Sequence, residues 1–228
     1  MDNFDFSNGK KAVEMLFVIR AKGTAEDECS FIQKWIESVS DDEAFLPLYW
    51  LGQVLIRLKD ERATSVLLKS HEMAVLRVNS SEDAQFVVAA AAVSAAQLLL
   101  YSSPNRDKAV AFAQQLLERS VKLVPSSVEA WATLAEMYWQ ENRFLSEFSF
   151  RRRHELARMT VHARETAFDL NPLLFENTWR LALHYRMKDK GSQYQLLLDR
   201  VRGLDPNTCQ QVVEKVGQEL LSKSYHSI

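Results

Sequence analysis

Two prolines 34 residues apart, Pro172 and Pro206, constrain this chain more than any other feature, because the pattern around them recurs. Each follows a short polar residue, in Asn171-Pro172 and Asp205-Pro206, and the residue before a proline is pushed out of the α region, so each pair closes a helix. Offsets of 6, 9, 10 and 13 from Pro172 give Thr178, Leu181, Ala182 and Tyr185. The same offsets from Pro125 give Trp131, Leu134, Ala135 and Tyr138. A third set lacks the proline but keeps the spacing, as Leu48, Leu51, Gly52 and Leu55, followed by a turn-like Lys59–Ala63. On a helix these four positions share one face, and the small residue lets a partner helix approach closely. A period of 34 residues is that of a stacked helix-turn-helix unit rather than of an isolated helix in a globular enzyme.

The remainder of the chain agrees with helix after helix. Only six glycines and five prolines interrupt segments rich in Ala, Leu, Glu, Lys and Gln, and no stretch shows convincing strand alternation. The pattern predicts helices over Lys10–Ala21, Ala25–Val39, Asp42–Leu58, Glu61–Val78, Ser81–Leu100, Arg106–Leu123, Ser127–Glu141, Leu145–Phe168, Leu174–Arg186, Gln193–Arg202 and Thr208–Ser222. Ser126 or Ser127 supplies an N-cap for the helix holding Trp131, with Glu129 in its first turn.

Trp131, Leu134, Ala135, Tyr138, Ala167, Leu181, Ala182 and Tyr185, with Pro125, Pro172 and Pro206, resemble the tetratricopeptide-repeat family, most clearly over residues 105–206. The resemblance implies an all-α fold, a right-handed array of antiparallel helix pairs. It implies one helical-repeat domain over 1–228: an N-terminal helical cap over 1–40, three or four degenerate repeats over 41–206, and a C-terminal capping helix and tail over 207–228. From Pro125 to Pro172 is 47 residues, 13 more than one unit, so the helix after Phe144 is expected to be overlong.

Composition narrows the function classes. The 228 residues are 47% hydrophobic, enough to bury a core, and 28 basic against 30 acidic residues give a formal net charge of −2, which provides no global field for nucleic acid or anionic membrane. Cys29 and Cys209 form no CxxC pair, and their wide separation suggests neither a disulfide framework nor a zinc site. The N-terminus starts acidic and turns basic only at Lys10 and Lys11, against the order of a secretory signal, so a cytoplasmic protein is expected. The nearly uncharged stretch from Ala84 to Asn105 is long enough to raise the question of a membrane span; its many alanines favour a helix buried by other helices.

Catalytic and metal constellations are poorly represented. The glycines are isolated and form no phosphate loop or nucleophile elbow. Among His71, His154, His162, His184 and His226 only His154 and His162 could share a helix face, and eight residues of rise separate them by roughly 12 Å, too far to share one metal. No enzyme, no cofactor and no metal are expected.

Two candidate surfaces remain. In the tetratricopeptide family the first helices of successive repeats line a groove, which implies a partner-binding surface here of Tyr49, Gln53, Arg57, Glu136, Trp139, Gln140, Trp179, Arg180, Leu183 and Arg186. Aromatic anchors beside arginines are what peptide hot spots use, with burial of Trp139 and Trp179 against a neighbouring repeat as the alternative. Some family members grip a terminal carboxylate with Lys and Asn side chains; here the matching positions hold Ala132, Glu136, Trp179 and Leu183, so that clamp is absent. The second surface is basic: Arg143, Arg151, Arg152, Arg153, Arg158 and Arg164, read either as a solvated helix face with Glu147, Glu155 and Glu165 as partners or as a docking patch. Phe144, Phe148 and Phe150 nearby suit the packing face of that helix, with membership of the same patch as the alternative.

The expected function is therefore a non-catalytic scaffold or adaptor that binds a protein partner, as a peptide or helix, within a larger assembly. The alternatives are a permanent structural subunit of a trafficking or RNA-processing complex, and a nucleic-acid or membrane-surface contact through the Arg143–Arg164 helix.

Overall fold

The computed structural model describes residues 4, 6, 8–103, 105–146 and 149–224, so Glu147, Phe148 and His226 lie outside the described residues. Among those described there are eleven α-helices, one 3-10 turn at Asp41–Glu43, and no strand. In chain order the helices are α1 (Gly9–Lys22), α2 (Ala25–Ser38), α3 (Phe45–Arg57), α4 (Ala63–Val75), α5 (Glu82–Ser102), α6 (Arg106–Leu123), α7 (Val128–Phe144), α8 (Phe150–Leu170), α9 (Phe175–Met187), α10 (Gly191–Leu204) and α11 (Pro206–Ser224). Their contacts divide the chain into two compact units, Met1–Pro125 and Ser126–Ile228.

Within residues 1–125 each helix packs on the next, from α1 on α2 to α5 on α6, and α3 also touches α5. That is the packing of helix pairs in series: short turns make partners antiparallel, and first helices of successive pairs meet. The small residue of the register shows why the pairs can close. A methyl group on Gly52 would lie 2.6 Å from Leu67 Cδ2 and 2.7 Å from Leu67 Cγ of the facing α4, closer than carbon atoms can approach. Phe31, Ile32, Leu16, Ile19 and Val54 fill the space between α1, α2 and α3, each of these large side chains contributing about 1.5–3 kcal/mol on burial.

Three polar devices tie this unit together. Thr24 caps α2 by accepting from the Asp27 N–H at 3.2 Å, while the Thr24 N–H donates to Asp27 Oδ2 at 2.8 Å. Glu28, 2% exposed, accepts from Arg20 Nε at 3.1 Å and from Arg57 Nη2 at 2.5 Å, which joins α1, α2 and α3 through one carboxylate. Burial alone would raise its pKa, but the hydrogen bonds from Arg57 and Arg20 outweigh it and hold the group below the ordinary carboxylate value. His71 of α4 is buried and its Nδ1 lies 3.0 Å from the Val88 carbonyl of α5, so Nδ1 carries the proton; its Nε2 is buried without a partner among the described residues.

Helix α5 is, by length and composition, apolar enough to cross a membrane. Its packing is that of a core helix: Ala84, Val87, Val88, Ala91, Ala92, Ala95 and Ala96 are all sealed from solvent, with α4 and α6 against it. Alanines there bring little area each but allow three backbones to come close.

Within residues 126–228, α7 packs on α8, α8 on α9, α9 on α10, and α11 lies on both α9 and α10, as the first helix of a further unit would. The register residues Leu134, Ala135 and Tyr138 of α7, and Thr178, Leu181, Ala182 and Tyr185 of α9, are all buried.

The repeat is also written in the turns. After α3, Lys59 has φ 55°, the Lys59 N–H donates to Ile56 O and the Asp60 N–H to Leu55 O. After α9, Asp189 has φ 54°, its N–H donates to Arg186 O and the Lys190 N–H to Tyr185 O. Both are Schellman endings, and both close on the last residue of the register, Leu55 and Tyr185. At the matching position, Asn142, α7 does not turn but continues to Phe144.

The helix after Phe144 is overlong, as expected, but it takes only part of the extra length. Relative to the next unit, α7 has 17 residues where α9 has 13, five residues separate α7 from α8 where three separate α9 from α10, and α8 has 21 where α10 has 14. The 13 extra residues thus extend both helices and the turn between them. The predicted helix from Leu145 starts instead at Phe150, and that from Asp42 starts at Phe45 after the 3-10 turn; Pro47 sits in the first turn of α3, where its missing N–H costs nothing.

Candidate partner-binding site

The residues expected from sequence to line a groove fall into two groups, one in each unit. In residues 1–125, Tyr49 is buried rather than exposed, because its ring makes edge contacts with Trp50 at 5.2 Å and Phe86 at 5.4 Å. Gln53 donates through Nε2 to Ser94 Oγ at 2.9 Å and so joins α3 to α5. Arg57 is committed to Glu28. These three side chains hold helices together.

In residues 126–228 five of the seven remaining candidates, all but Gln140 and Arg186, line a pocket of about 400 Å³ between α7, α8, α9 and α11. Its walls include Glu136 and Trp139 from α7, Thr160, Val161 and Arg164 from α8, Trp179, Arg180, Leu183, His184 and Met187 from α9, and Glu219 from α11. Trp139 is 40% exposed with the Arg143 guanidinium 5.5 Å from its ring centre. Leu183 is buried, a correction to the expectation that it stands exposed in a groove, and Trp179 is buried too, which is the alternative weighed for it. Helix α11 explains Trp179: Lys215 Nζ and the Arg180 guanidinium each lie 5.3 Å from its ring centre, and its Nε1 donates to Glu176 Oε2 at 3.2 Å. Arg186 is exposed and is outside the pocket wall, 5.8 Å from the Tyr194 ring centre. Gln140 donates to Glu136 Oε1 at 3.0 Å.

Glu136 is the polar hub. Its Oε2 lies 2.8 Å from Arg180 Nη1 and 3.5 Å from Arg164 Nη2, so one carboxylate serves cations from two further helices. Arg180 also reaches Glu176 at 3.4 Å. Arg164 is 6% exposed, and burial pushes its pKa down to about 10, with Glu136 pulling the other way. His184 is held below its ordinary pKa by burial and by Lys190 and Lys188, so it adds no positive charge at neutral pH.

Arg164 departs from the basic face expected of it. It lies on the buried stripe of α8 with Leu156, Thr160, Ala163, Ala167 and Phe168. The signal is present in the sequence: small and apolar residues at three- and four-residue spacing on both sides of Arg164. The other arginines are dispersed. Arg152 Nε and Nη2 donate to Glu141 at 2.9 and 3.1 Å and Arg152 Nη1 to Glu155 at 3.1 Å, while Arg143, Arg151 and Arg158 are exposed and Arg153 is half-buried. Phe144 and Phe150, expected as packing residues, are 52% and 75% exposed, since they stand on the extended ends of α7 and α8. Lys215 and Glu219 have no counterpart among the expected site residues, because nothing local in α11 marks which repeat it covers.

Among the described residues no group of three or more His, Cys, Asp or Glu side chains is placed to hold a metal ion, and Cys29 and Cys209 are free thiols. No known protein-family profile matches the chain. Nor does any curated protein sequence. Solved structures do match. MamA 41-end from Desulfovibrio magneticus RS-1 is similar at TM-score 0.54 and 20% identity, with 87% of this chain and 95% of that chain covered. A MamA RS-1 ArsTM double mutant gives TM-score 0.53 and 20% identity over 94% and 95%. A thermophilic TPR protein from Thermus thermophilus gives TM-score 0.50 and 12% identity over 94% and 100%. With the register and turns described above, the fold of this chain is the tetratricopeptide-type helical repeat.

Proposed function

We propose that this protein is a non-catalytic interaction scaffold of the cytoplasm, which binds a peptide or helix of a protein partner at the pocket between α7, α8, α9 and α11. The observation that carries the reading is the convergence of a partly exposed Trp139 with Arg164 and Arg180 around an open space of about 400 Å³. An aromatic wall beside arginines is the composition of an interaction hot spot, and the space accommodates one or two side chains. Stacked helix pairs present surface in this way on their first helices. The fold likeness to MamA and to a thermophilic TPR protein is in keeping with a scaffold. The arrangement of arginines weakens the reading as a nucleic-acid or membrane contact, since Arg164 is buried and Arg152 is neutralised by two carboxylates.

The test is affinity capture from a cytosolic extract with the wild-type chain and with Trp139→Ala/Arg180→Glu, each washed at low and high salt. Expected is a stoichiometric protein that survives high salt on the wild type and is lost from the variant, whose helical circular dichroism is unchanged. Identical protein sets on both chains, or only nucleic acid or lipid that washes off in salt, would remove the proposal.

A further inference from the structure

The buried end of the pocket shows what chemistry its ligand carries, an inference that rests on the peptide-binding reading above. Around the wall and rim Arg164, Arg180, Lys215 and Arg143 face Glu136, Glu176 and Glu219. These charges lie at different depths. Glu176, which reaches Arg180 at 3.4 Å, has a 65% exposed side chain, and Glu219, paired with Lys215 at 3.0 Å, a 31% exposed one, so both lie nearer the rim than Arg164. The deepest charge is Arg164 at the floor, beside the 23% exposed Glu136, and it shares a single oxygen of Glu136 with the 36% exposed Arg180, which takes the close contact. The Arg164 side chain is only 7% exposed, so water does little to solvate it, and its described ion pair is the 3.5 Å contact. A guanidinium has five N–H donors in a fixed fork that fits a carboxylate in two-point fashion. Burying a guanidinium against a single 3.5 Å ion pair is costly, and an arriving anion would offset that cost.

The walls above this floor are apolar: Trp139, Val161, Leu183 and Met187. We propose that the pocket takes the carboxylate of an Asp or Glu side chain from a partner peptide, held by Arg164 and Arg180, with an adjacent aromatic or large aliphatic side chain of the same peptide laid against Trp139 and Met187. Glu136 is then the internal occupant of this anion site: it holds the two arginines in place when no peptide is bound, and competes with the incoming acid for them.

The competition makes the proposal testable in two directions. A phage-displayed library of random peptides, with no free carboxyl end, is selected on the full-length chain, and the enriched peptides are synthesised and titrated by fluorescence polarisation. Expected are sequences with Asp or Glu beside Trp, Phe or Leu, and at least a tenfold loss of affinity when that acid is changed to its amide. Arg180→Gln should abolish the preference for acid over amide. Glu136→Gln should tighten the acidic peptide severalfold, a direction that a merely structural role of Glu136 does not produce. Enriched peptides without an acid, or equal affinity for acid and amide, would overturn the carboxylate inference and leave peptide binding standing. Binding that survives Trp139→Ala unchanged, or no enrichment on a chain with intact helical circular dichroism, would overturn both.

Discussion

Replacing Gly52 by alanine sets two known effects against each other in one methyl group. In the middle of a helix alanine is favoured over glycine by about 1 kcal/mol, so local propensity alone predicts a more stable protein. The tertiary structure predicts the reverse. The added Cβ falls 2.6 and 2.7 Å from Leu67 Cδ2 and Cγ, and Leu67 is sealed from solvent, so either it leaves its rotamer or α3 and α4 separate. Overpacking of this kind costs about 1–3 kcal/mol, which leaves a net loss of about 1 kcal/mol. Leu67→Ala by itself should cost about 2–5 kcal/mol through the cavity it opens. In the double variant the clash is gone, since the three nearest atoms to the new methyl all belong to Leu67, and the helix propensity gain returns. The double variant should therefore be more stable than the two single losses added together, by about 2 kcal/mol. Urea unfolding followed by far-UV circular dichroism measures all four proteins. A Gly52→Ala chain that is more stable than wild type, or a strictly additive double variant, would refute the claim that close helix approach at the small register position organises this fold.

The two Schellman turns place non-glycine residues in the left-handed region, so Lys59→Gly and Asp189→Gly should each raise stability by about 0.5–1 kcal/mol in the same unfolding assay; a loss at both sites would contradict the turn assignment. His71 titrates with its pKa lowered by burial, partly offset by the Val88 hydrogen bond. The unfolded chain binds this proton below about pH 6.5 while the folded chain does not, so the contribution is fully present above that pH and is lost as pH falls, with a slope of up to about 1.4 kcal/mol per pH unit. Stability measured from pH 7.5 to 5 should show that slope and His71→Gln should reduce it; an unchanged slope would show that another group titrates.

How much of the fold is legible in the chain varies with the physical range of the interaction. The helices are readable because their punctuation is local: Asn171-Pro172, Asp205-Pro206 and the caps of α2 and α7 act within one turn. The repeat is readable because Leu134-Ala135, Leu181-Ala182 and Leu51-Gly52 must recur wherever one helix lies close on another. The division of 13 extra residues is not, since whether α7 turns at Asn142 or runs on to Phe144 depends on what α8 offers it to pack against.

The candidate site separates the two kinds of information most sharply. The order of residues along the chain suffices for the all-helical class, the 34-residue unit and the set of first-helix side chains from which a binding surface is drawn. It takes the stacked helices to show that Tyr49, Gln53 and Arg57 join helices, that α11 covers Trp179, and that Arg164 leaves the basic face to share Glu136 with Arg180. The physical reason is that backbone conformation responds to neighbours a few residues away. Burial and ion pairing are settled by side chains such as Glu136 and Arg180, 44 positions apart, that meet only after the helices have stacked.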